Sequence, residues 1–220
     1  MIDKLTLDDP RYPARLKEIP DPPRLLYVKA KSRLDSNDLA RTIAVVGTRH
    51  MTKYGAEVTR KLVRQLVANG FTIVSGMAYG IDTVAHRAAI DAGGKTIAVL
   101  GCGIDIIWPP SNARLYSQIG EEGHGAIVSE MSPGVAPNKD VFKTRNRIIS
   151  GLSLGVVVTE GAENSGALIT ARYAAEQGRE VFAVPGPITS PLSSAPARLI
   201  KEGATLVETV EDILDEFNYR

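Results

Sequence analysis

Residues 42–49 read Thr42-Ile43-Ala44-Val45-Val46-Gly47-Thr48-Arg49. A run without polar alternation ends on a glycine turn, and an arginine follows at once. Such a run predicts a strand covered on both faces, as in a parallel sheet, rather than a half-exposed antiparallel hairpin. The unit recurs along the chain at Phe71-Thr72-Ile73-Val74, Thr96-Ile97-Ala98-Val99-Leu100, Ala126-Ile127-Val128, Val156-Val157-Val158 and Val181-Phe182-Ala183-Val184. A shorter run, Thr205-Leu206-Val207, suits an edge strand.

Helical patterns lie between these runs. Tyr54 to Ala68 places Val58, Leu62 and Leu66 on one face, and the stretches Ile81 to Ala92 and Ala167 to Gln177 are rich in alanine. Gly70, Gly94 and Gly178 stand where left-handed helix caps are expected. Val210, Ile213, Leu214 and Phe217 predict a closing helix. Strands alternating with helices at this spacing give an α/β chain with a doubly wound, mostly parallel sheet and helices on both faces. Residues 1–40, punctuated by Pro10, Pro13, Pro20, Pro22 and Pro23, read as an N-terminal extension that packs on a core domain of residues 41–220.

Composition narrows the function classes. Of 220 residues 44% are hydrophobic and 23% charged, an ordinary globular balance. Lys plus Arg is 26 against 25 for Asp plus Glu. Bulk charge therefore makes no case for nucleic acid, and any anion site must be a local patch. Cys102 is the only cysteine, so no internal disulfide forms and a cytoplasmic setting is expected. No apolar run reaches the ~18 residues of a membrane span.

In an open parallel sheet, ligands bind beyond the carboxyl ends of the strands, near the reversal of strand order. Those ends hold Gly47-Thr48-Arg49, Ser75-Gly76, Gly101-Cys102-Gly103, Ser129-Glu130, Thr159-Glu160-Gly161 with Asn164-Ser165-Gly166, and Pro185-Gly186. A glycine-rich turn followed by a helix N-terminus cradles anions, although a single such turn is equally well explained by tight turning. Arg49 adds a planar fork suited to phosphate. Lys139, Lys143, Arg145 and Arg147 surround Phe142 and Asn146. Cations with one aromatic are what a single-strand groove uses, for phosphates and for an unstacked base. A solvated helix start is the commoner source of a basic cluster, yet Arg145, Asn146 and Arg147 lead into apolar Ile148-Ile149, so not all three can face water.

Other signals are weaker. Gly93-Gly94-Lys95-Thr96 mimics the tail of a phosphate loop, but Ala89 stands at the first glycine position and the segment runs from helix to strand. His50, His86 and His124 lack metal-ligand spacing, and no metal or cofactor is expected. Cys102 reads as a small buried residue, and Glu130, Glu160 and Glu163 as groups that orient arginines or cap helices.

The ordered set Val46 to Arg49, Ser75 to Asp82, Ser129-Glu130, Phe142 to Leu152, Ser165 to Ala171 and Gly178 to Gly186 resembles the bacterial DNA-processing protein A (Smf/DprA) family. Tyr12-Pro13, Asp21-Pro22-Pro23 and Leu26-Tyr27 match its lead-in. The resemblance implies an extended Rossmann-like domain, without catalysis, that binds single-stranded DNA. It further implies protection of incoming DNA, loading of a RecA-type recombinase in natural transformation, and a homodimer. It places Arg49 at a phosphate pocket and assigns Lys139 and Phe142 to the DNA. Gly47, Thr48, Ser75, Gly76, Lys143, Arg145, Asn146, Arg147, Ser165 and Gly166 complete the expected binding set. Trp108-Pro109-Pro110, Ala195 and Ala197 depart from the family pattern, and the helical and winged-helix domains that flank many members are expected to be absent. The alternative is an enzyme of similar shape, a nucleotide phosphoribohydrolase, in which Ser165 to Thr170 would be the phosphate loop; Arg172 then stands where an acid is wanted.

Overall fold

A computed structural model describes residues 2–32 and 36–217. In chain order its elements are β1 (Ile2–Thr6), α1 (Ala14–Lys17), β2 (Leu25–Lys29), α2 (Ser36–Ala40), β3 (Thr42–Val46), α3 (Lys53–Ala68), β4 (Thr72–Ser75), α4 (Ile81–Asp91), β5 (Thr96–Leu100), α5 (Ala113–Gly120), β6 (Gly125–Ser129), α6 (Lys139–Gly151), β7 (Gly155–Val158), α7 (Gly166–Glu176), β8 (Glu180–Ala183), α8 (Ser194–Lys201), β9 (Thr205–Leu206) and α9 (Glu211–Glu216). Among the described residues nine strands form one sheet in the order β1-β2-β6-β5-β4-β3-β7-β8-β9. From β6 to β9 every pairing is parallel; β1 and β2 pair antiparallel with each other, and β2 pairs antiparallel with β6.

The apolar runs are strands because both of their faces are covered. Ala44, Val46, Val74, Ile97 and Val99 face α6, α7 and the lead-in residues Leu16 and Ile19. Ile43, Val45 and Ile73 face α3, α4 and α9. Every residue of β3, β4, β5, β6 and β7 is buried. The α/β, doubly wound architecture is as the alternation predicts. One cap differs: Gly93, at φ 75°, takes the left-handed position expected of Gly94, while Gly70 and Gly178 occupy theirs at 79° and 65°. Gly94 instead packs on Val67, whose side chain a Cβ there would meet at 2.5 Å.

The lead-in contributes two strands and is tied to the sheet by charge as well as by pairing. Arg147, in α6, donates to both carboxylate oxygens of Glu130 at 2.7 and 2.9 Å and to the carbonyl of Asp21 at 3.0 Å. Arg15 donates to Thr42 Oγ1 at 3.1 Å and to the carbonyls of Leu39 and Ala40. No helix of the described residues is long and apolar enough to cross a membrane.

The order of strands reverses at β3. The chain moves outward through β4, β5 and β6, then crosses back by α6 to lay β7 on the other side of β3. The loops after β3 and β7 therefore flank the crevice where ligands of such sheets bind.

Candidate nucleic-acid interface

Gly47-Thr48-Arg49 leaves β3 and is pinned on both sides. The Thr48 amide donates to the Glu160 carbonyl at 2.7 Å, and the Thr48 carbonyl accepts from the Ile81 amide at 3.1 Å. A Cβ at Gly47 would stand 2.6 Å from Ile81 and 2.8 Å from the Glu160 carbonyl, so only glycine lets β3, α4 and the β7 loop meet here. Gly80, at φ 74°, lies so close that a Cβ would overlap the Thr48 carbonyl. These contacts fix the backbone of Arg49 and leave its side chain exposed.

The Arg49 guanidinium stands 5.6 Å from the centroid of the Phe142 ring. That ring is half-buried and lies against Gly101, the first residue after β5, where any Cβ would overlap it. A second guanidinium, Arg145, is 5.9 Å from the same ring. Lys139 opens α6 one turn before Phe142, and Lys143 follows it; both are exposed, and Lys143 has only a loose partner, Asp140 at 3.8 Å. Arg49, from the loop after β3, and Phe142, from α6, thus meet at one rim, with Lys139 and Lys143 exposed on the first turns of the same helix.

Arg145 turns inward. Its guanidinium donates to the Gly76 carbonyl at 2.9 Å, to the Val99 carbonyl and to Asn146 Oδ1 at 3.3 Å. Asp82, wholly buried, is the nearby countercharge and accepts from the Gly76 and Ala78 amides at 3.2 and 3.3 Å. Burial pulls the Arg145 pKa down to about 10 against the attraction of Asp82. Burial likewise pushes the Asp82 carboxyl above its usual range, with Arg145 opposing. The pair clamps the Ser75-to-Ala78 loop onto the end of β5. Asp82 was not among the expected site residues. Its signal in the sequence is an acid in the first turn of an otherwise apolar helical face.

The remaining expected residues divide. Ser75 points into the sheet and donates to the Val45 carbonyl at 2.7 Å. Gly76 is covered by Arg145 and Asp82. Thr48 is buried, its hydroxyl accepting from the His50 amide. Arg147 is taken up by Glu130 and Asp21, away from the rim. Asn146 donates to the Gly166 carbonyl at 3.3 Å, which links α6 to the start of α7. Ser165 caps α7 by accepting from the Ala167 amide, and Gly166 faces open space. The structure therefore places Arg49, Lys139, Phe142, Lys143 and Gly166 where a ligand can reach them, and sets Ser75, Arg145 and Arg147 behind the surface.

The helix after the first parallel strand has its own anion. Glu160, buried at the end of β7, accepts from the Thr52 amide at 2.9 Å and the Thr52 hydroxyl at 2.5 Å, at the N-terminus of α3. Gly55 makes room for it, since a Cβ there would overlap the carboxylate. Glu130 thus serves as an arginine partner, and Glu160 holds Thr52, the N-cap of α3. The Cys102 thiol is pushed up to about 11 by burial, which keeps it protonated.

The chain is similar to known proteins over its whole length. A family model described as DNA recombination-mediator protein A matches residues 3–218. The DNA processing protein DprA of Bacillus subtilis is 44% identical over 219 residues, which cover 100% of this chain and 72% of that one. The X-ray structure of DNA processing protein A from Streptococcus pneumoniae superposes with a TM-score of 0.90 at 44% identity, covering 98% of this chain and 74% of that one. A DNA processing protein A from Helicobacter pylori, whose structure concerns its single-stranded DNA binding mode, gives a TM-score of 0.85 at 28% identity and covers 99% of this chain and 96% of its own.

Proposed function

The chain belongs to the DNA recombination-mediator protein A family, and on that footing we propose that it binds single-stranded DNA at the rim formed by Arg49, Lys139, Phe142 and Lys143. The observation that carries this reading is the Arg49 guanidinium 5.6 Å from the Phe142 ring, with Lys139 one turn away on the same helix. A guanidinium and an ammonium hold successive phosphates, and a ring offers a face to any base without selecting among them. The N-terminus of α7 at Gly166 adds its partial positive charge to the same edge. Ser75, Gly76, Arg145, Asn146 and Arg147 hold the frame. The H. pylori relative, whose structure is described by its single-stranded DNA binding mode, supports the choice of ligand.

On the same reading the protein acts in the cytoplasm, without catalysis, as a homodimer that shields incoming strands and delivers them to a RecA-type recombinase. Glu160, just past the end of β7, is engaged by Thr52, the N-cap of α3, which favours binding over the hydrolysis of a nucleotide. The test is fluorescence anisotropy with a labelled oligothymidylate. Binding should weaken steeply with salt. Arg49→Ala should cost about tenfold in affinity and flatten the log–log salt slope by about 0.7, the share of one phosphate on a single strand. Salt-insensitive binding, or a preference for duplex, would overturn the proposal.

A further inference from the structure

The surface beside the rim is also built for a chain of phosphates. Gly80, whose backbone packs on Arg49, forms one wall of a depression of about 410 Å³ between α3 and α4. Its mouth carries Met51 and Tyr79, exposed at 37% and 48%. Arg60 of α3 and Arg87 of α4 line it from opposite sides. Arg60 also lines a second, shallower depression of about 400 Å³, with Lys61 and Arg64. All four cations are exposed, and among the described residues none has an ion-pair or hydrogen-bond partner. Asp91 and Glu57 also line these depressions. Even so, Arg87 and Asp91, one turn apart on α4, form no ion pair. Cations therefore outnumber carboxylates, and their charge is uncommitted.

An exposed tyrosine ring beside uncommitted arginines repeats, outside the rim, the chemistry of Phe142 beside Arg49. From the start of α3 to Arg64 the helix rises about 16 Å, a length that a single bound nucleotide does not span. We propose that a single strand held at the Arg49–Phe142 rim continues over Tyr79 into the α3–α4 groove, with further phosphates on Arg60 and Arg87. The inference rests on the rim being a single-strand site. It adds direction: the strand leaves toward α3 and α4, and affinity grows with length until the groove is filled.

The experiment compares labelled oligothymidylates of about six and about twenty nucleotides, one near the lower end of common single-strand site sizes and one beyond the upper end. The protein is tested as wild type and as the Arg60→Ala/Arg87→Ala double variant. Both side chains are exposed, so the variant folds, and its circular dichroism and melting should match wild type. The long oligonucleotide should lose about tenfold in affinity in the variant, with its salt slope reduced by about 1.4 for two lost phosphate contacts. The short one should bind both proteins alike. Tyr79→Ala should weaken only the long one. Equal affinities of variant and wild type for the long strand, or equal losses on both strands, would overturn the groove while leaving the rim intact. Failure of wild type to bind either strand would overturn the rim, and the groove with it.

Discussion

Phe142 owes its seat to Gly101, since a methyl group at that position would overlap the ring. Gly101→Ala should therefore act as a remote lesion of Phe142, swinging the ring off the end of β5. Its loss in oligonucleotide affinity should approach that of Phe142→Ala. The latter is set by base–aromatic stacking at about 1–3 kcal/mol, or roughly 5- to 150-fold. Anisotropy on both variants checks this, and a Gly101→Ala protein with unchanged affinity would show that the ring's place is immaterial. Residue identity was readable at this scale, and so was the need for some of Arg145, Asn146 and Arg147 to leave the solvent, whereas the partners they take were not. Lys139, Phe142, Arg145 and Arg147 form one basic cluster in sequence. The partners that turn Arg145 inward, the Gly76 and Val99 carbonyls, are 69 and 46 positions away, and no local pattern encodes them.

At the scale of elements, α6 is both the crossover that reverses the sheet and the bolt that holds the lead-in. Arg147 occupies both oxygens of Glu130 and reaches Asp21, with its side chain only 9% exposed. Arg147→Ala would strand a partly buried carboxylate and should lower stability by about 2–4 kcal/mol, read by urea unfolding. Arg147→Lys should recover little of this, because an ammonium cannot make the two parallel bonds. If Arg147→Ala unfolds at the wild-type midpoint, the tie is unimportant. Gly80→Ala combines positive φ with overlap at the Thr48 carbonyl; it should destabilise by at least 1 kcal/mol and loosen Arg49 as well. The parallel strands were legible because burial on both faces removes charged residues from β3 to β7. The partner of β2 was not, since pairing with β6 joins segments about a hundred residues apart. Helix α5, of eight residues, and α1, of four, are too short for a periodic pattern to stand out beside their Pro-rich neighbours.

At the scale of the whole molecule, His86 couples folding to pH. It is fully buried, with Nδ1 2.6 Å from Thr96 Oγ1, and burial, with the charge of Arg145 adding, pulls its pKa from 6.5 to about 3. The unfolded chain takes up a proton there near 6.5, and the folded chain does so only near 3. Between those values the unfolded state binds more protons, so stability falls as pH drops, by about 1.4 kcal/mol per unit from this group. Urea midpoints at pH 7 and pH 5 should separate more in wild type than in His86→Gln; equal separations would remove His86 from the account. Another long-range arrangement is the carboxylate of Glu160 on the first turn of α3. In dinucleotide-binding sheets that helix start receives a pyrophosphate. Here the berth is already taken by an anion the chain carries with it. Free nucleotides, which vastly outnumber stray DNA ends in any cell, find no vacancy at that helix start. Millimolar ATP, matched for ionic strength, should leave oligonucleotide binding untouched, so that a scarce polymer never has to compete with its own abundant monomers.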